Sequence, residues 1–438
     1  MLNNIFNPKS VALIGASNKP KTVGSGIALN LLKGKREIFF VNPNTPRIFN
    51  KKTYKSVLDI KEKIDLAIIA VPASIVNDIA KECVQKKVKG VIVISAGFSE
   101  IGNIEREEKL KEILKDIPLI GPNSLGIINP KAKLNASFAP FAPKKGNIAL
   151  LSQSGALIDA ILDLSLNENY GFSKIVSLGN EGGLDLGDYL KYLDDNRETK
   201  VIGMYLEGIK NGRKFFEIVK NIKKPIIVLK SGKTDLGKKA ALTHTGSLAG
   251  NNRIYSSVFK QLGLIEVDSI EELLDTLKIL SWLDRCKNGV GIITNGGGFG
   301  VLASDYLYNE NIKLPKLNRE TLNLLNISLM EKVNKNNPMD VIGDALANRY
   351  EKGIEAMLLQ KDIHCLYIIQ GMQIMTESEK TAKIITKLYE KYKKPIICSF
   401  IGGTSFKKAI QILEKKKIPN IIEIKRAVKT IKNLTYEK

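Results

Sequence analysis

Short runs of apolar, largely β-branched residues recur along the chain. Each ends in a Gly- or Pro-marked turn, and a longer amphipathic stretch follows. Continuous apolar runs of about 4–8 residues between turn signals read as strands buried on both faces, and the longer amphipathic stretches read as helices that cover them. Their alternation predicts repeated βα units, hence parallel sheets. Five strands are expected up to Asn129: "SVALIG", "IFFVNP", "LAIIAVP", "GVIVIS" and "PLIGPN". The next stretch, "NPKAKLNASFAPFAPKKG", carries Pro130, Pro140 and Pro143 and has neither period, so 131–145 reads as a linker.

A second block, 146–285, opens with "GNIALLSQSGALIDAILDLS" and continues through "KIVSLG", "VIGMYLEG" and "PIIVLKSG". A third, 286–438, opens with "GVGIITNGGGFGVLASDYL" and includes "CLYIIQG" and "PIICSFIGG". The two blocks echo each other. "IALLSQSG" matches "GIITNGGG", and "KKPIIVLKSGKT" matches "KKPIICSFIGGT", as two copies of one doubly wound fold would. With the first block over 1–130, the chain of 438 residues reads as α/β with three domains.

Composition narrows the function classes. Hydrophobic residues make up 44% and charged residues 26%, ordinary values for a globular protein. No apolar run approaches the roughly 20 residues that cross a bilayer, and the start, "MLNNIFNPKS", lacks the order of a secretory signal. Cys83, Cys286, Cys365 and Cys398 form no CxxC pair, which points to a reducing cytoplasm without disulfides or zinc. The net charge of +22 would attract polyanions. However, Lys is interleaved with Glu, as in "KLKEILKD", and Arg is sparse. A lysine-rich surface fits that better than a nucleic-acid interface.

The candidate chemistry lies in strand-to-helix turns. In "VALIGASNKPKTVGSGIALNLL" a strand enters Gly15 and small residues precede a helix, so backbone N–H groups face an anionic ligand. The motif is not GxGxxG. Asn42 and Pro43 also stand where a dinucleotide enzyme needs an acid for the ribose, which disfavours NAD. "LLSQSGAL" places Ser152, Gln153, Ser154 and Gly155 at a helix start, a phosphate cradle rather than a nucleophile elbow. "LKSGKT" is no P-loop, because Ile227 stands where the first glycine belongs. "NGGGFG" could serve a small anion or close helix packing. His364, at the head of "CLYIIQ", reads as structural.

His244 is one of two histidines and sits among Ala241, Thr243, Thr245, Gly246 and Ser247 in "KKAALTHTGSLAG". Neutral imidazole is a nucleophile toward phosphorus, and small neighbours leave it room. Its other nitrogen needs an orienting partner. Glu207 in "MYLEGIKNG" closes a strand of the same block and can converge with it.

"GPNSLGIIN", "LLSQSGAL", "LEGIKNG", "HTGSLAG", "NGGGFGVLASD" and "NPMDVIGDA", in this order, resemble the alpha subunit of ADP-forming acetyl-CoA synthetase (acetate–CoA ligase), in the succinyl-CoA synthetase superfamily. The resemblance implies a Rossmann-like CoA-binding domain followed by two flavodoxin-like domains, the first carrying a phosphohistidine. It implies that His244 is transiently phosphorylated with Glu207 holding it, and that Ser152–Gly155 bind phosphate. It further implies that Gly15, Ala16, Ser17, Asn18, Asn42, Pro43, Val71, Pro72, Ser95, Ala96 and Gly97 line the CoA site. ADP/ATP and Mg2+ would bind an ATP-grasp beta subunit in an alpha2beta2 assembly, with a small carboxylic acid and its acyl-CoA as substrates. Asp159 departs from the tyrosine typical of succinyl-CoA synthetases, which favours a monocarboxylate such as acetate. A succinate–CoA ligase subunit and a non-catalytic CoA sensor are the alternatives.

Overall fold

The computed structural model describes residues 2–239 and 251–435. His244 lies outside the described residues. The chain divides into two compact units, Met1–Asp268 and Ser269–Lys438.

The first unit holds two seven-stranded sheets. The five strands expected up to Asn129 form as β1 (Ser10–Ile14), β2 (Glu37–Val41), β5 (Leu66–Ile69), β6 (Val91–Val93) and β7 (Leu119–Ile120). Unforeseen are β3 (Arg47–Ile48) and β4 (Lys51–Tyr54), an antiparallel edge pair. The order is β3-β4-β2-β1-β5-β6-β7, and every pairing except β3 with β4 is parallel. β1 and β5 are buried along their whole length, as their unbroken apolar runs require.

The second sheet runs β14-β13-β12-β10-β11-β8-β9. Its parallel strands are β10 (Lys145–Ser152), β11 (Phe172–Ser177), β12 (Val201–Leu206), β13 (Ile226–Lys230) and β14 (Ile265–Val267). β8 (Gly126–Asn129) and β9 (Leu134–Ser137) add an antiparallel hairpin at the β11 edge. The stretch read as a linker is therefore partly strand, and β9 is buried throughout. "LNAS" is too short and too rich in polar residues to announce a buried strand, yet several of its polar groups are paired inside. Ser137 Oγ donates to Asn135 Oδ1, and Asn30 Nδ2 donates to the carbonyls of Ser137 and Ala139 at 3.0 and 2.9 Å.

The second unit carries four parallel strands, β15 (Val290–Thr294), β16 (Met339–Asp340), β17 (Cys365–Gly371) and β18 (Ile396–Ile401), in the order β16-β15-β17-β18. In all three sheets the first βα strand (β1, β10 or β15) lies between the second and the third. Successive connections leave it in opposite directions and open a crevice beyond its carboxyl end, where open α/β sheets take ligands. No helix among the described residues is long and apolar enough to cross a membrane, and the four cysteines are free thiols.

Candidate active site

β1 ends at a turn that only glycine fits. Gly15 has φ +89°, and a Cβ on it would meet the Ala70 carbonyl oxygen at 2.1 Å. A Cβ on Gly24 would lie 2.1 Å from the Gly15 oxygen, so glycine there lets helix Val23–Leu32 start directly against the turn. Thr22 caps that helix. Asn42 Nδ2 donates to the Ala16 carbonyl at 2.8 Å. The residue at the position of a dinucleotide enzyme's acid thus braces the first loop.

The next strand ends are tied together by side chains. Ser95 Oγ donates to the Val71 carbonyl at 2.5 Å. The Glu100 carboxylate accepts the N–H groups of Gly97 and Phe98 and the Asn180 amide. Burial pushes its pKa up, but these hydrogen bonds outweigh burial and hold it below the usual glutamate value.

In the second sheet, Ser152 Oγ donates to the Ser154 carbonyl at 2.7 Å and accepts from Ser154 N at 3.0 Å. Ser154 Oγ caps helix Gly155–Ser165 by accepting from Leu157 N. Both hydroxyls are therefore engaged in holding the turn. The first-turn amides of Gly155 and Ala156 have no acceptor within the helix, so backbone N–H groups are what the turn offers an anion.

The Gln153 side chain is committed inside the protein. Its Nε2 donates to Glu181 Oε1 at 2.7 Å and to the Gly208 carbonyl at 2.9 Å. Its Oε1 accepts from Glu207 N at 2.6 Å and Gly208 N at 3.1 Å. This clasp joins the Ser152–Gly155 turn to the loop that begins at Glu207, so the Gln153 side chain ties the two together. Burial raises the pKa of Glu181.

Glu207 is 5% exposed at the end of β12. On the neighbouring strand, Lys230 is 3% exposed, and its Nζ donates to the Glu207 carbonyl at 2.7 Å and lies 4.8 Å above the Tyr255 ring. Burial lowers the Lys230 pKa, while Glu207 opposes the shift. The sequence reading missed Lys230. A lysine closing the unbroken apolar run "PIIVLK" was the available signal.

The strand ends of the two sheets share one cleft of about 640 Å³. Its wall takes Val71, Pro72, Ser95, Ala96, Gln153, Ser154 and Gly155 from the predicted set and adds Asn123, Phe138, Asp159 and Asn180. Gly15 packs against Ala70 and Val71 of that wall. Ala16, Ser17, Asn18, Asn42, Pro43 and Gly97 are not part of it.

The second unit repeats the cradle's construction. Thr294 Oγ1 and Gly296 exchange the same pair of hydrogen bonds as Ser152 and Ser154. The Asn295 amide clasps Gly371 N and O as Gln153 clasps Gly208. Here, however, Asp340 Oδ2 lies 2.9 Å from where a Gly297 Cβ would be. A carboxylate of the chain itself thus lies beside this helix start.

Three family models match in chain order: a CoA binding domain over 9–130, a succinyl-CoA ligase like flavodoxin domain over 145–280 and a Ligase-CoA domain over 290–432. The chain is 40% identical to acetate–CoA ligase [ADP-forming] II subunit alpha of Pyrococcus furiosus, over 96% of this chain and 94% of that one. It belongs to the ADP-forming acetate–CoA ligase family. Another family member, acetate–CoA ligase [ADP-forming] of Methanocaldococcus jannaschii, is 45% identical over 99% of this chain, which spans only 63% of that relative's length. Among solved structures, the dinucleotide-forming acetyl-coenzyme A synthetase 1 of Ca. Korarchaeum cryptofilum, in complex with phosphate and ADP, superposes with TM-score 0.94 at 35% identity. The match covers 99% of this chain and 96% of that one. Family membership agrees with the α/β reading of a Rossmann-like domain followed by two flavodoxin-like ones.

Proposed function

We propose that the chain is the alpha portion of an ADP-forming acyl-CoA synthetase that interconverts acyl-CoA, phosphate and ADP with a carboxylic acid, CoA and ATP. The observation that carries this is the shared cleft. Strand ends expected to hold CoA and the helix start expected to hold phosphate line a single cavity, so a thioester and its attacking phosphate can meet there. The glycine-only turn at Gly15 and the close start of helix Val23–Leu32 fit a backbone that approaches a phosphorylated substrate.

Inorganic phosphate attacks the thioester carbonyl, the C–S bond breaks, and CoA leaves as thiolate and takes a proton. The acyl phosphate stays at the Gly155–Ala156 amides, whose helix offsets its charge by about 0.3–2 kcal/mol. A His244 ring nitrogen then attacks phosphorus and the carboxylate departs. Glu207 holds the imidazole and stabilises its developing positive charge. Phospho-His244 finally delivers the group to ADP, held with Mg2+ by an ATP-grasp partner in an alpha2beta2 assembly. Relatives named as alpha subunits that match this chain nearly end to end support a separate partner. Free thiols support a reducing, cytoplasmic setting.

His244→Ala is expected to abolish acyl-CoA-dependent ATP synthesis while CoA binding, followed by calorimetry, persists. Turnover comparable to wild type in that variant would contradict the mechanism.

A further inference from the structure

Among the described residues, Asp159 supplies the only ionisable side chain in the wall of the cleft. Its Oδ1 is buried and has no hydrogen-bond partner among the described residues. A buried carboxylate oxygen without a donor is destabilising, and such atoms point to a ligand or another missing partner. We propose that Asp159 selects the acyl group. Its unpaired oxygen accepts a hydrogen bond from a donor at the far end of a short carboxylic acid, such as the hydroxyl of a hydroxy acid, and its charge turns away acids with a second carboxylate. The inference rests on the acyl-CoA synthetase reading above.

The placement on the helix carries the argument. Asp159 lies four residues after Gly155 in helix Gly155–Ser165, hence one turn on, on the same face and about 6 Å along the axis. Helical side chains lean toward the N-terminus, so the carboxylate tilts back toward the amides that would hold the acyl phosphate. An acid reacting there extends its carbon chain over roughly that distance, past Leu125 and Phe138 of the same wall. The apolar pair suits methylene groups, and Asp159 suits a donor beyond them. Burial raises the Asp159 pKa, as expected where water screens poorly and a second carboxylate would be repelled.

The test uses three four-carbon thioesters that differ only at the far end: butyryl-CoA, 4-hydroxybutyryl-CoA and succinyl-CoA. Each is titrated calorimetrically into the full chain, with free CoA as the reference for every variant. Wild type is expected to bind the hydroxy thioester about tenfold more tightly than either of the others. Asp159→Leu should erase its advantage over butyryl-CoA. Asp159→Asn, which keeps an acceptor but no charge, should retain part of that advantage and close most of the succinyl-CoA gap. Equal affinities in wild type, or ratios that persist in Asp159→Leu, would overturn the proposal while CoA binding kept the enzyme reading intact. Failure of wild type to bind free CoA would overturn both.

Discussion

Gln153 works through what it holds in place. Its amide donates two hydrogen bonds, to Glu181 and the Gly208 carbonyl, and accepts two, from the N–H groups of Glu207 and Gly208, each contributing about 0.5–1.5 kcal/mol when made and more when one partner is stranded. Gln153→Leu is therefore expected to lower unfolding stability by about 2–4 kcal/mol, read as a fall in the urea midpoint at unchanged slope. An unchanged midpoint would mean the clasp is not a structural tie. The turn was legible in "LLSQSGAL" because hydroxyl residues between a strand and a helix cap the helix and brace the turn, as Ser154 and Ser152 do. The division of labour was not. Whether an amide faces a ligand or a neighbouring strand depends on β12, whose end lies 54 residues downstream. Lys230 escaped notice for the same reason, since its significance arises from Glu207 on the adjacent strand.

At the scale of elements, the first loop depends on two glycines that let strand, turn and helix meet. Gly15→Ala adds a methyl group 2.1 Å from a backbone carbonyl at φ +89°. Left-handed strain alone is worth about 1–3 kcal/mol, and the clash forces the Val71 loop outward. The expected outcome is a lower melting temperature together with at least tenfold weaker CoA binding. CoA affinity equal to wild type would separate this turn from the ligand. The buried parallel strands were readable because burial on both faces demands continuous apolar runs. The two hairpins were not, each for its own reason. "KKTY" opens with two exposed lysines and holds no apolar run, because only the two-residue β3 separates it from the sheet edge. "LNAS" is buried although half of its residues are polar, with the Ser137 hydroxyl bonded to Asn135 and the Ser137 carbonyl to Asn30.

Across the whole molecule, one strand order recurs in three sheets, and the cradle's hydroxyl and amide clasps recur in two. The copies diverge where chemistry would occur. The first-unit helix start opens into the cleft, whereas the second-unit start has Asp340 beside it. That difference accounts for the echo between "IALLSQSG" and "GIITNGGG" without requiring two active sites. The excess of positive charge suits a chain whose proposed ligands, CoA, phosphate and acyl phosphate, are all anions. The central claim is phosphoryl transfer through His244, and it is tested most directly by intact mass and peptide mapping. The chain, with its nucleotide-binding partner present, is incubated with acetyl-CoA, phosphate and Mg2+ and without ADP. The account predicts one acid-labile phosphoryl group, on the peptide containing His244. A folded, CoA-bound chain that acquires none, and none with ATP in the reverse direction, would contradict it.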